Sequence, residues 1–138
     1  MSSTFTDTND APYIINIVGE LVEADYTSGG LTKSNVKTAI LGTNVTSIGN
    51  HAFSGATLLN SITFGAGSQL DTIGNGAFYA TALTTIAIPN GVTSIGNNAF
   101  SQTTLLNSIT FGENSLLDTI GNYAFYKTTS LTTIAIPN

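Results

Sequence analysis

A six-residue phrase, Ile-Gly-Asn-x-Ala-Phe, begins at Ile48, Ile73, Ile95 and Ile120. A chain that repeats itself at near-constant spacing folds as stacked copies of one unit rather than around a single irregular core. Counted from the apolar residue that opens each copy, units start at Val36, Leu59, Leu83, Leu106 and Leu131, with lengths of 23, 24, 23 and 25 residues before a partial fifth that stops at Pro137-Asn138. Alternate units are the closer relatives. LTTIAIPNGVTSIGNNAF at Leu83 echoes VKTAILGTNVTSIGNHAF at Val36, and LNSITFGAGSQLDTIGNGAF at Leu59 returns as LNSITFGENSLLDTIGNYAF at Leu106. The higher period is therefore a pair of units.

Each unit has three parts. The opening stretch, as in Leu83-Thr84-Thr85-Ile86-Ala87-Ile88, alternates apolar and small polar residues and predicts a short strand, ended by Pro89. Val92-Thr93-Ser94-Ile95 follows, and Gly96-Asn97 reads as a corner where glycine accepts backbone angles that other residues resist. Asn98-Ala99-Phe100 and a Ser/Thr stretch close the unit, with room for one helical or 3₁₀ turn.

Apolar positions align in columns: Ala39, Ile62, Ile86, Ile109, Ile134; Leu41, Phe64, Ile88, Phe111, Ile136; Ile48, Ile73, Ile95, Ile120; and Phe53, Phe78, Phe100, Phe125. A unit of this size cannot bury enough surface alone, so the array folds only by stacking.

The pattern L-x-x-I-x-I-P-x-x-V-x-x-I-G-x-x-A-F, repeated near 23 residues over 36–138, resembles the BspA-like leucine-rich repeats of bacterial surface proteins and some parasitic protists. The resemblance implies a right-handed leucine-rich-repeat solenoid, β-rich with short parallel strands, of about four full coils plus a partial fifth. It divides the chain into a mobile N-terminal segment, 1–12, a cap or degenerate repeat, 13–35, and the array, 36–138, with units 36–58, 59–82, 83–105, 106–130 and partial 131–138. The family commonly carries cysteine three residues after the Ala-Phe phenylalanine; here those positions are Ala56, Thr81, Thr103 and Thr128. That removes any thiol ladder or disulfide while leaving the fold intact.

Composition narrows the partners. Only 8% of the 138 residues are charged, the cations are Lys33, Lys37 and Lys127, and net charge is −5. A phosphate backbone or an anionic membrane surface is repelled by such a chain. No apolar run approaches the length of a membrane span. The N-terminus lacks the basic start and apolar stretch of a signal peptide, so either the protein is not exported by that route or the chain is a fragment. Asn44-Val45-Thr46 matches a glycosylation acceptor triplet, a match that any Asn- and Thr-rich chain produces by chance.

At the N-terminal end, Tyr13-Ile-Ile-Asn-Ile-Val-Gly-Glu-Leu-Val-Glu reads as two short strands hinged near Gly19-Glu20 that cap the first coil, and Tyr26 to Lys33 as a loop. At the other end no polar unit follows Phe125. Truncation of a longer array and end-to-end self-association through that coil are both compatible with this.

The chemical inventory is nearly empty, so no catalytic, cofactor-binding or metal site and no cofactor is expected, and an enzyme is not. His51, the only histidine, occupies the variable letter of the phrase and reads as a surface residue. Asp71 and Asp118, equivalent in the even units, read as turn or capping residues rather than metal ligands, because hard cations take six or more oxygens. The glycines are too dispersed to cradle a phosphate.

Alternation does predict a surface. Thr38, Ser61, Thr63, Thr85, Ser108, Thr110 and Thr133 point outward from the opening strands as a neutral hydroxyl ladder, and Tyr79, Tyr123 and Tyr126 flank the Ala-Phe turns as a second candidate patch. Resemblance implies a protein-interaction or adhesion module, a fragment of a longer surface protein whose partner is a protein or host surface component. A structural or self-assembling solenoid is the alternative reading, and an ice-binding threonine array a minor one.

Overall fold

The structure, a computed structural model, describes residues 2–9, 12–15, 19–22 and 30–137. Its strands, in chain order, are β1 (Ser3–Thr6), β2 (Pro12–Ile15), β3 (Gly19–Leu21), β4 (Thr38–Leu41), β5 (Val45–Ile48), β6 (Ser61–Phe64), β7 (Thr72–Ile73), β8 (Thr85–Ile88), β9 (Ser94–Ile95), β10 (Ser108–Phe111) and β11 (Thr119–Ile120). They make a β-solenoid of about four coils. Opening strands β4, β6, β8 and β10 lie along one side, and β3, β5, β7, β9 and β11 form an unbroken parallel ladder along another. Its register aligns Ile48 with Ile73, Ile95 and Ile120, the column expected from the repeats. Parallel pairing is what stacking identical coils in one direction requires.

The side chains of those columns fill the interior. Phe53, Phe78 and Phe100 are fully buried, and with half-buried Phe125 they form a stack of rings. Successive centroids lie 5.5, 5.2 and 5.5 Å apart, with interplanar angles of 7°, 15° and 4°.

A third ladder runs through the Ala-Phe turns. His51, Phe53 and Gly55 each donate an N–H to the next coil, to the carbonyls of Asn75, Ala77 and Tyr79, all at 2.8 Å, and the same steps recur between the later coils. The helical or 3₁₀ turn expected here is absent among the described residues. Two left-handed residues four apart occupy every coil: His51 and Gly55, Gly76 and Ala80, Asn98 and Gln102, Tyr123 and Lys127. Such residues interrupt a right-handed helix, so the segment becomes consecutive turns whose alternate N–H groups are free to bond along the stack.

The Gly-Asn pair also differs from the corner expected. The glycines at 74, 96 and 121 are not left-handed; a Cβ there would lie only 2.7, 2.6 and 2.5 Å from the backbone nitrogens of Asn50, Asn75 and Asn97 in the preceding coil. Close approach excludes a side chain. The left-handed angle belongs to the variable residue two positions on. The asparagines link the coils, since Asn75, Asn97 and Asn122 each donate an N–H to the Oδ1 of the asparagine one coil earlier, at 2.8, 2.8 and 2.7 Å.

One coil departs from the rest. Ile48 to Ile62, Ile95 to Ile109 and Ile120 to Ile134 each span fourteen residues, whereas Ile73 to Ile86 spans thirteen. Elsewhere the phrase's phenylalanine carbonyl accepts the N–H three residues on, from Ala56, Thr103 and Thr128. In the shortened coil Phe78 O accepts the hydroxyls of Thr81 at 3.1 Å and of Thr103, one coil later, at 2.9 Å. The threonines at family cysteine positions therefore satisfy a buried carbonyl. We predict that T81V/T103V lowers stability by about 1–3 kcal/mol, the cost of a buried acceptor left without a partner. Thr128→Val, whose acceptor Phe125 O also receives a backbone N–H, should cost less. Urea midpoints at constant slope measure both, and equal losses would sink the assignment.

At the N-terminal end, residues 3–6 are not the mobile segment expected. Strand β1 pairs antiparallel with both β2 and β4. Phe5 is fully buried, 6.4 Å from Phe53, so it heads the ring stack. Four residues with one aromatic are too short to register as a pattern, yet they occupy the free edge of β4, where an unpaired strand is a liability. Residues 13–15 lie in β2, and Gly19 and Glu20 belong to β3 itself rather than to a hinge. Residues 16–18 and 23–29, which include part of the expected loop, lie outside the described residues. Residues 131–137 form no strand, although Leu131 and Ile134 pack against the core.

Candidate functional site

The opening strands set the candidate surface. Inward positions Ala39, Ile62, Ile86 and Ile109 are buried, and the alternate positions turn out. Thr63, Thr85 and Thr110 are exposed, while Thr38, Ser61 and Ser108 are half-buried. Thr133 is exposed but sits outside any strand. The Thr38 hydroxyl is hydrogen-bonded to that of Thr6 on β1. The exposed hydroxyls are thus those of Thr63 on β6, Thr85 on β8 and Thr110 on β10, with Thr85 in register with Ser108 and Thr110 with Ala87.

The opening strands do not make one continuous sheet. β4 pairs with β6 and β8 with β10, but β6 and β8 are not joined by hydrogen bonds. Two local causes coincide there. The shortened return from Ile73 to Ile86 leads directly into β8. In addition, Gly65, which ends β6, donates its N–H to Leu41 O at 2.9 Å, whereas the equivalent residue ending β8 is Pro89, which has no N–H to give. The same residue type stands at Pro137, and residues 131–137 form no strand. The ladder thus holds within each duplicated pair of units and opens between pairs.

A groove of about 790 Å³ occupies the opening. Ser61, Thr63 and Phe64 line it from β6, Thr85, Ala87 and Ile88 from β8, and Thr110 and Phe111 from β10. Its ends are the loops after the strands. Ser61 to Thr72 and Ser108 to Thr119 each span eleven residues against nine for Thr38 to Ser47 and Thr85 to Ser94, so the even units raise longer walls at Gly65, Gly67 and Gly112. Asn90 joins the lining. Its carbonyl accepts the Leu116 N–H at 2.8 Å and its amide lies against Gly112. No lining residue carries a charge.

Sequence reasoning found Ser61, Thr63, Thr85 and Thr110 but not Pro89 or Asn90; Phe64 and Phe111, at the wall of the groove, are half-buried and pack against the core as their column implies. The signals available were the thirteen-residue return and the proline in the strand-ending column.

The tyrosines do not form a single patch. Tyr123 and Tyr126 are exposed and meet edge to face at 5.8 Å, with Lys127 Nζ 5.3 Å from the Tyr126 ring centre. Tyr79 is half-buried, two coils away at the position equivalent to Tyr126. Leu116 and Ile120 are exposed on the same fourth coil.

The titratable residues are dispersed. His51 is exposed beside Gly76, where a Cβ would meet its ring. Asp71 Oδ1 accepts the Thr93 hydroxyl at 2.6 Å, and the Asp71, Thr93 and Asp118 backbones bond in succession along the stack. The two aspartates therefore face a coil-to-coil column rather than each other. Among the described residues no three His, Cys, Asp or Glu side chains are grouped to hold a metal. No helix there is long and apolar enough to cross a membrane.

Parallel ladders stacked around a column of rings, with a neutral strand face and, among the described residues, no grouped His, Cys, Asp or Glu, define a repeat solenoid. The family model described as BspA type leucine rich repeat region (6 copies) matches residues 29–138, and the chain belongs to that family. Among solved structures it is similar to the pneumococcal vaccine antigen PcpA, with 25% identity and a TM-score of 0.68 over 81% of this chain and 28% of that one. It is also similar to a leucine rich cell surface protein from Faecalibacterium prausnitzii A2-165, with 20% identity and a TM-score of 0.43 over 93% of this chain and 45% of that one. The chain thus spans less than half the length of either. No curated protein matches the sequence.

Proposed function

We propose that this chain is a non-catalytic adhesion module, a segment of a longer cell-surface protein that contacts a protein or other component of a host surface through its strand face. The observation that carries this reading is the outward strand face, which exposes the uncharged Thr63, Thr85 and Thr110 on a scaffold bonded coil to coil. Membership of the BspA-type repeat family and likeness to a protein named as a vaccine antigen support the setting. The opening between β6 and β8 denies the threonines a single lattice spacing, which weighs against an ice template.

A face with no Trp or Arg binds weakly per unit, so multivalency supplies the affinity. A tetramer-fused chain should bind epithelial cells or immobilised matrix about 10²–10⁴ times more tightly than the monomer, and Thr63→Arg with Thr110→Arg should abolish the gain. Absence of binding by the tetramer on every surface tried would falsify the reading.

A further inference from the structure

Asparagine is followed by glycine twice in the chain, at Asn75-Gly76 and at Asn90-Gly91. A glycine without a Cβ lets the asparagine side chain approach the next backbone nitrogen closely, so sequence alone makes the two pairs equally reactive. The fold separates them. We propose that Asn90 is a site of spontaneous deamidation, and that stacking of the coils protects Asn75 from the same reaction.

The reaction needs only base and water. The Gly91 nitrogen gives up its proton and attacks Asn90 Cγ, a new C–N bond forms, the bond to the side-chain nitrogen breaks, and ammonia leaves with a proton returned from solvent. Water then adds to either carbonyl of the five-membered imide and opens it to aspartate or isoaspartate. Bringing nitrogen and Cγ together turns the peptide group that joins the pair. Hydrogen bonds to that group, or to the side chain, oppose the turn.

At Asn75 three such bonds reach the neighbouring coils. Asn75 O accepts the His51 N–H, Asn75 Oδ1 accepts the Asn97 N–H, and the buried Gly76 donates its N–H to Asn97 O, each at 2.8 Å. The attacking nitrogen and the side chain are thus both tied to the third coil.

At Asn90 there is one. The pair forms the centre of the turn Pro89-Asn90-Gly91-Val92, closed by Val92 N–H on Pro89 O at 3.1 Å, a turn whose closing bond uses neither central N–H. Gly91 N–H accordingly donates no hydrogen bond among the described residues. The exposed Asn90 side chain lies against Gly112 with no hydrogen bond of its own there. Only Asn90 O is held, by the N–H of the exposed Leu116 at 2.8 Å.

Either product puts a carboxylate at this turn, beside a groove whose lining carries no charge. Ageing therefore makes the strand face more anionic at one defined point. The reaction requires no ligand and is independent of the adhesion reading.

The test is peptide mapping by mass spectrometry of the whole chain aged at mildly alkaline pH, once folded and once in urea. In the folded chain Asn90 should convert at least ten-fold faster than Asn75 and yield isoaspartate as well as aspartate. In urea, where the ladders are gone, the two should convert at rates within two-fold of each other. Asn90→Gln should keep the folded chain from developing an acidic form on anion exchange, and Gly91→Ser should slow that form at least ten-fold. Asn75 keeping pace with Asn90 in the folded chain, Asn90 staying intact there while both convert in urea, or aspartate appearing without isoaspartate each overturns the proposal. So does an Asn90 that is equally favoured in urea, since the fold would then not be the cause.

Discussion

Phe100→Ala is expected to remove about 4–5 kcal/mol of stability, read as a fall in the urea midpoint. Phe100 is fully buried between two stacked neighbours, Phe78 at 5.2 Å and Phe125 at 5.5 Å. Truncating a core phenylalanine costs about 3–5 kcal/mol through lost burial and the cavity left behind, and each stacked pair adds roughly 0.5–1.5 kcal/mol beyond area. Collapse around the hole is resisted by the backbone. Phe100 N–H is bonded to Ala124 O at 2.8 Å, and Phe78 N–H to Ala99 O at 2.8 Å, so neither adjacent coil can slide inward without breaking its ladder. Phe125→Ala should cost visibly less, because that ring is only half-buried and has a stacked neighbour on one side. Because coil interfaces hold a solenoid together, the Phe100 variant should also unfold in two steps, with the coils on either side of the gap separating. A single transition within 1 kcal/mol of the parent would contradict the stacked core.

The ring column itself was legible because four copies put phenylalanine at one phase of a repeat, and a position that must be identical in every coil leaves a signature that survives without coordinates. The isoleucine columns and the strand alternation were legible for the same reason. What escaped the reading were the places where one coil differs from the others, or where backbone meets backbone. The asparagines at 50, 75, 97 and 122 repeat as faithfully as the phenylalanines, yet repetition alone does not say that the Oδ1 atoms of Asn50, Asn75 and Asn97 each accept an N–H from the next coil. Strand β1 escaped because Phe5 belongs to no repeat. The candidate site was half legible. Its hydroxyl row follows from period-two alternation, but its concavity depends on one missing residue before β8 and on Pro89, whose effects appear only once the strands are placed side by side. The turns were misread as helical because composition and length fit a helical turn, while the left-handed angles that forbid one fall on His51 and Asn98, types that visit that region more readily than most, and on Tyr123, which does not announce it.

Gly96→Ala is expected to cost roughly 3 kcal/mol or more, whereas Gly76→Asn should cost under about 1 kcal/mol, even though both glycines sit in the same repeated phrase. An added Cβ at Gly96 lies 2.6 Å from Asn75 N, 2.7 Å from Asn75 Oδ1 and 2.7 Å from Gly74 C. Two of those atoms are backbone, held by the bonds from Gly96 N–H to Ile73 O and from Asn97 N–H to Asn75 Oδ1, each at 2.8 Å. Relief requires the coils to part, which loosens the ladders on both sides and brings the substitution to the severe end of overpacking. At Gly76 the problem is different. Its φ is +58°, but asparagine tolerates that region better than most residues, and His51, Asn98 and Tyr123 already adopt it at the equivalent position. The nearest obstacle there is the His51 imidazole, 2.6 Å from the added Cβ, and an exposed side chain can rotate away where a backbone cannot. Melting temperature shifts at about 4 °C per kcal/mol would then separate the pair by on the order of 10 °C. The reverse order would mean that backbone angle, rather than contact between coils, is what the phrase's glycine supplies.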